Sequence, residues 1–257
     1  MIAPFTLPSD PGVQIQLREA TVADAMDFAD VDEGHEEELT TMFLKRMQDA
    51  GTVRDPLKWT AEDRRFALYW YWLHTSKDHD VALSYDCRHC GGNHAYLQNM
   101  RELAEHYKAI DGPAEREGEW KGEKILVRPL NGRNMEALER MRMGIASSSE
   151  GSAERKGRAR MMFERLAMCT AFPADFEKDK VKRGQKKRQK IMAMSLGDFA
   201  DFTDLVFGLL AEMKHGLEME YEEGRLYLIM PPHKCPERGE QTRLRYPFRN
   251  NDYIPGL

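Results

Sequence analysis

The sequence predicts an α+β fold, rich in helices, with a small antiparallel β element that joins two distant parts of the chain. Three observations lead there. Apolar residues recur at spacings of three and four in several segments, most regularly at Phe199, Phe202, Val206, Leu209 and Met213. Short alternating stretches such as Val13-Gln14-Ile15-Gln16-Leu17 read as half-buried strands. The third is Cys87-Arg88-His89-Cys90-Gly91-Gly92, preceded by Val81–Tyr85 and followed by Ala95-Tyr96-Leu97. Two thiols separated by two residues can face one tetrahedral ion, and the glycines let the chain fold back between two strands. That is the form of a zinc knuckle.

The elements follow in order. Residues 5–19 predict a hairpin turning at Pro8-Ser9-Asp10-Pro11-Gly12. Thr21 caps a short acidic helix through Phe28, and a second helix runs from Glu36 to Ala50 with Leu39, Phe43, Leu44 and Met47 on one face. Thr60 with Asp63 at its third position reads as a capping box opening a third helix, whose stripe of Phe66, Tyr69, Trp70 and Leu73 is expected in the core. After the knuckle, Arg101 to Ile110 predicts a helix, Lys124 to Leu130 a strand, and Met135 to Met143 an amphipathic helix. Residues 146–152, Ala-Ser-Ser-Ser-Glu-Gly-Ser, predict a linker, and Glu154 to Phe172 a further helix. Ser195, with Asp198 three residues on, starts the clearest helix, which Gly216 ends. Met219 to Met230 reads as a hairpin running into Cys235, and Thr242–Tyr246 as a strand leaving it. Phe248, Tyr253 and Ile254 belong to an irregular tail. We divide the chain into residues 1–112 (hairpin, helices and first knuckle), 113–191 (helical middle with linker and basic run) and 192–257 (long helix, hairpin, second half-knuckle and tail).

Composition narrows the class. The 257 residues, 41% hydrophobic and 32% charged, suit a globular protein, and no apolar run is long enough to span a bilayer. No secretion signal is read at the N-terminus, so the four cysteines are expected as thiols or metal ligands and not as disulfides. The net charge of −5 conceals two poles: residues 19–38 carry nine carboxylates and no Lys or Arg, whereas 180–190 carry seven Lys or Arg and no acid. Such poles suit oriented packing against neighbours. Sixteen methionines, adaptable fillers of cores and contact surfaces, point the same way.

One knuckle is half a metal site. The other half is sought in Pro232-His233-Lys234-Cys235-Pro236-Glu237-Arg238-Gly239, a Cys-Pro-x-Cys-Gly knuckle with Arg238 where the second cysteine belongs. The expected ligands of one structural Zn²⁺ are therefore Cys87, Cys90 and Cys235 with His233, which compensates locally for the missing thiol. His94 is the second choice, His89 is expected to point out of its loop, and Cys169 is expected as a buried helix residue. The alternative is a degenerate knuckle that binds nothing and serves as a turn. Phosphate-binding glycine loops, nucleophile elbows and His-Glu-x-x-His motifs are absent, and three thiolates plus an imidazole leave zinc no open position, so no catalytic residue and no enzyme are expected. The Lys180–Lys190 run lacks interleaved aromatics, so nucleic acid is not an expected partner.

Taken together, the motifs resemble those of the baseplate hub and hub-assembly proteins of T-even-like contractile-tailed phages. The residues that carry the likeness are Asp55-Pro56 with Asp63-Arg64 opening an aromatic-rich helix, the strand into Cys87-x-x-Cys90-Gly91, Cys235-Pro236-x-x-Gly239, and the ending Pro247-Phe248…Tyr253-Ile254-Pro255. The resemblance covers most of the chain, and outside the knuckles it rests on short motifs. It implies a non-enzymatic structural subunit of the contractile tail baseplate, in its hub or wedge region. Its partners would be other baseplate and tail proteins and copies of itself, with neither small-molecule substrate nor membrane. It would reside in the host cytoplasm during assembly and in the virion baseplate if retained. A transient assembly chaperone absent from the virion is the alternative within the family, and a zinc-ribbon nucleic-acid binder the alternative outside it. As a virion subunit, it is expected to contact its neighbours through the Phe248–Leu257 tail and residues 144–190.

Overall fold

The computed structural model describes residues 2–29, 34–49, 53–146, 151–175, 177–222 and 225–255. Strands β1 (Phe5–Leu7) and β2 (Asp10–Ile15) pair antiparallel as the N-terminal hairpin. Helix α1 (Val22–Ala29) begins where Thr21 Oγ1 accepts the Asp24 N–H and the Asp24 carboxylate accepts the Thr21 N–H in return. Arg18 and Arg46 close on the same buried carboxylate and, with Thr21, hold its pKa well below the usual range. Helix α2 (Glu36–Met47) buries Leu39, Phe43, Leu44 and Met47. Helix α3 (Ala61–Thr75) has the reciprocal Thr60–Asp63 capping box. It buries Phe66, Tyr69 and Leu73, while Trp70 stays partly exposed and donates to the Ala3 carbonyl.

Next come β3 (Asp80–Asp86) and β4 (Asn93–Asn99), a two-stranded antiparallel ribbon, and the short helix α4 (Arg101–Glu105). The helix expected to reach Ile110 stops early because Lys108 is extended and exchanges both backbone hydrogen bonds with Gly216. Strands β5 (Arg116–Trp120) and β6 (Glu123–Val127) form a hairpin closed by Lys121-Gly122, both at positive φ. That two-residue turn matches the twist of the strands it joins. Helices α5 (Gly132–Ala146) and α6 (Gly151–Cys169) pack on each other, and the 147–150 part of the expected linker lies outside the described residues. Strand β7 (Thr170–Ala171) ends α6 earlier than expected by pairing with β6.

The basic run is helix α7 (Lys180–Met192), capped by Asp179, and helix α8 (Leu196–Glu212) follows, capped by Ser195. Strands β8 (Met219–Glu222), β9 (Arg225–Ile229) and β12 (Arg245–Pro247) form a sheet in the order β12-β9-β8, with 223–224, the tip of the expected hairpin, outside the described residues. Between β9 and β12 lies the small hairpin of β10 (His233–Lys234) and β11 (Gln241–Thr242), so the single strand expected over Thr242–Tyr246 is broken in two.

Mixed helix and antiparallel sheet make this an α+β structure. Its two hydrophobic cores divide the chain differently from the three sequence segments. One core draws on residues from Ile2 to Met100 and again from Leu217 to Tyr253. The other lies wholly between Ile110 and Met213. Helix α8 therefore belongs with the middle of the chain, where Phe202 meets Trp120 and Phe172 with ring centroids 5.2 and 6.0 Å away. The C-terminal strands return to the first core. The Lys108–Gly216 pair marks the place where the chain leaves one core and comes back.

The tail also departs from expectation. Phe248 stacks on Tyr253 at 4.5 Å, and Tyr253 lies against Tyr69 and Trp72 of α3. These aromatics complete the protein's own core and are not presented to a neighbour. Because Phe202 is fully buried at the centre of the second core, Phe202→Ala is expected to destabilise that lobe by about 3–5 kcal/mol in a denaturant titration.

Candidate metal centre

The first hairpin places two ligands by parity. In β3, Val81, Leu83 and Tyr85 alternate inward, which puts Cys87 on the same face as the chain leaves the strand. Across the ribbon Tyr85 pairs with His94, so the imidazole emerges on that face too. Between them the loop is tightened by Gly91 N–H to Cys87 O (2.8 Å) and Cys87 N–H to Gly92 O (2.9 Å), with Gly91 at φ +76°.

The second hairpin repeats this backbone. Gly239 N–H reaches Cys235 O (2.8 Å), Cys235 N–H reaches Glu240 O (2.8 Å), and Gly239 has φ +77°. Laid over one another, Cys235 matches Cys87 and Arg238 matches Cys90. The second knuckle is thus complete in its backbone and lacks one sulfur. Where the half-knuckle has Arg238, the fourth donor comes from the other hairpin.

The Sγ atoms of Cys87, Cys90 and Cys235 and one imidazole nitrogen of His94 all lie within 4.8 Å of one another. His94 Nε2 is 3.0 Å from Cys90 Sγ and 3.9 Å from Cys235 Sγ. A tetrahedron with Zn–S bonds of about 2.3 Å has edges of about 3.8 Å, so the donors need only small adjustments to enclose one ion. Among the described residues no other group of His, Cys, Asp and Glu side chains could hold a metal. No family model, curated protein or solved structure matches the chain.

His233, the first choice for the fourth ligand, is not in the cluster. It precedes Cys235 by two residues, a rise of about 6.8 Å along a strand, and so lies one layer away from the thiols. Its counterpart in the first hairpin is Tyr85, and it stacks on Tyr96 with centroids 4.5 Å apart. His94, the second choice, takes the place because the knuckle turns it back over the sulfurs. His89 lies outside the donor set, as expected, with Nδ1 3.7 Å from Glu240 Oε2 of the other knuckle. Cys169 is buried at the end of α6, where burial pushes its thiol up to about 12.

The electrostatics favour a cation here. Burial raises the cost of a Cys87 thiolate. The N–H groups of Cys90 and His89, together with the other two thiols, more than offset this and bring it down to about 6. The Gly92 N–H favours a Cys90 thiolate, 3.4 Å away, but burial and the neighbouring Cys235 and Cys87 push that thiol up to about 11. Arg238 N–H points at Cys235 Sγ from 3.4 Å. Backbone donors are thus aimed at sulfurs that repel one another when ionised, and a divalent ion removes the conflict. Cys87 and Cys235 are buried, which shields the centre from solvent.

The basic run, by contrast, is largely engaged within the protein. Lys187 Nζ donates to the Thr170 carbonyl at 2.7 Å, and burial lowers its pKa to about 8. Arg188 pairs with Glu164 at 2.7 Å, and Lys190 pairs with Glu123 while lying over the Phe172 ring. No helix among the described residues is long and apolar enough to cross a membrane.

Proposed function

We propose that the protein is a non-enzymatic structural subunit in which one Zn²⁺, held by Cys87, Cys90, His94 and Cys235, forms a zinc ribbon from two distant hairpins. The observation that carries this reading is the convergence of four soft and borderline donors from segments about 140 residues apart, on two loops with the same backbone. Three thiolates and an imidazole satisfy a tetrahedral ion and leave no position for water or substrate, which supports a structural role. The ion would fasten the C-terminal strands to the N-terminal ribbon. A rigid ribbon of this kind suits a protein that works by contact.

Assembly into a contractile phage tail baseplate is the role we propose for it, and the sequence resemblance described above is its support. The engagement of Lys187, Arg188 and Lys190 within the fold favours this over nucleic-acid binding. Mass spectrometry of purified tail particles tests the assignment. We expect the chain in stoichiometric amounts, bound to other baseplate proteins. Its absence from particles, with retention on assembly intermediates, would instead identify a transient chaperone, and salt-sensitive retention on DNA would point to a nucleic-acid binder.

A further inference from the structure

Outside the metal centre, large apolar side chains are conspicuously exposed on two consecutive helices. Val181 and Met192 on α7 are 68% and 74% exposed, and Leu196 and Phe207 on α8 are 90% and 44% exposed. On each helix they lie along a stripe. In α7 the spacing of Val181, Gln185, Arg188 and Met192 is four, three and four; in α8 Leu196, Ala200, Asp204, Phe207 and Ala211 follow in the same rhythm. Spacing of this kind is what a second helix packs against. The buried faces point elsewhere, through Ile191 in α7 and Phe202, Thr203 and Val206 in α8.

The charges beside the stripes are opposite. Helix α7 presents exposed Lys180, Lys182 and Lys186, whereas α8 presents exposed Asp201 and Asp204. Two copies of α8 would bring like charges together, and so would two copies of α7. Matching α7 to α8 brings each apolar stripe onto another and each basic edge onto an acidic one. Because the two helices are joined by only residues 193–195, one copy offers both halves of that match side by side.

We propose that the α7–α8 face binds a second copy of this chain, α7 of each copy on α8 of the other. The arrangement is isologous, so both contacts form together and the assembly closes as a dimer. The apolar side chains supply affinity, and the charges fix which helix meets which.

The full chain, purified with zinc, is analysed by light scattering coupled to size exclusion at micromolar concentration. Twice the monomer mass is expected. Leu196→Glu and Met192→Glu should each shift the dissociation constant at least tenfold upward, with zinc content and circular dichroism unchanged. Two charge-reversed proteins give the sharper test. Lys182→Glu/Lys186→Glu makes α7 acidic, and Asp201→Lys/Asp204→Lys makes α8 basic. Each alone should be monomeric, and an equimolar mixture should recover the dimer, because both contacts between unlike copies are again complementary. A monomeric wild-type chain, a dimer unaffected by Leu196→Glu, or a mixture that stays monomeric would each overturn the proposal. These readouts do not depend on whether the metal is structural or on what larger assembly the protein joins.

Discussion

The Cys87→Ser protein is expected to purify without zinc and to unfold about 10 °C below the wild type. Cys87 is the most deeply placed of the donors. Its Sγ collects the Cys90 and His89 N–H groups as well as the neighbouring thiols. A serine oxygen keeps the shape but is a poor partner for the ion, and the remaining three donors no longer close a tetrahedron. Structural zinc contributes about 10–16 kcal/mol in peptides that have no fold without it. This chain has two hydrophobic cores of its own, so the loss is smaller. With free zinc a thousandfold above its dissociation constant, the linked stabilisation is about 4 kcal/mol, and a domain of this size shifts by about 2–4 °C per kcal/mol. The effect should fall on the first lobe, because Cys87 and Cys235 adjoin its core while the second core contains neither. Calorimetry with zinc analysis checks it: a variant that retains one zinc per chain, or a metal-free protein with an unchanged transition, would remove the metal from the account of the fold.

Local signals in the sequence located most elements, and tertiary contacts moved the ones that were misjudged. Capping pairs marked true helix starts at Thr60–Asp63 and Ser195–Asp198 because they satisfy backbone groups within a few residues. Strand β5 escaped notice, since Arg116-Glu117-Gly118-Glu119-Trp120 shows charge where apolar alternation was sought. Its signal was the Lys121-Gly122 turn, both residues at positive φ and ready to close a hairpin. Helix α8 looked like the start of a C-terminal unit, yet its partners Trp120 and Phe172 lie before it in the chain. Periodicity tells which face is apolar and is silent on what covers it.

The metal centre divides in the same way. That Cys87, Cys90 and Cys235 meet was legible from knuckle spacing. The choice between His233 and His94 turned on strand parity and reach. A residue two before a knuckle cysteine shares its face but sits one layer back, as Tyr85 does. A residue seven after the first cysteine has been carried back by the turn and faces the sulfurs. Applied to both hairpins, this rule selects His94 and rejects His233 and Thr242, the counterpart of His94 in the second hairpin.

The correspondence between the two knuckles leads to a gain-of-ligand experiment. His94→Ala removes the only nitrogen donor of the cluster and is expected to abolish zinc binding, whereas His233→Ala, which disturbs only a stack on Tyr96, should keep one zinc per chain. Arg238 stands where the half-knuckle lacks its second cysteine, on a loop whose hydrogen bonds already match those around Cys90. The double variant His94→Ala/Arg238→Cys should therefore bind zinc again, now through four sulfurs, and regain most of the lost thermal stability. Zinc content and thermal denaturation of the three proteins decide it. A double variant that stays metal-free would mean that the second knuckle does not present position 238 to the ion. Loss of zinc in His233→Ala would return the fourth position to that histidine. Recovery would show that the two loops are interchangeable halves of one centre, with the ion choosing its fourth donor from whichever hairpin brings one within about 2.3 Å.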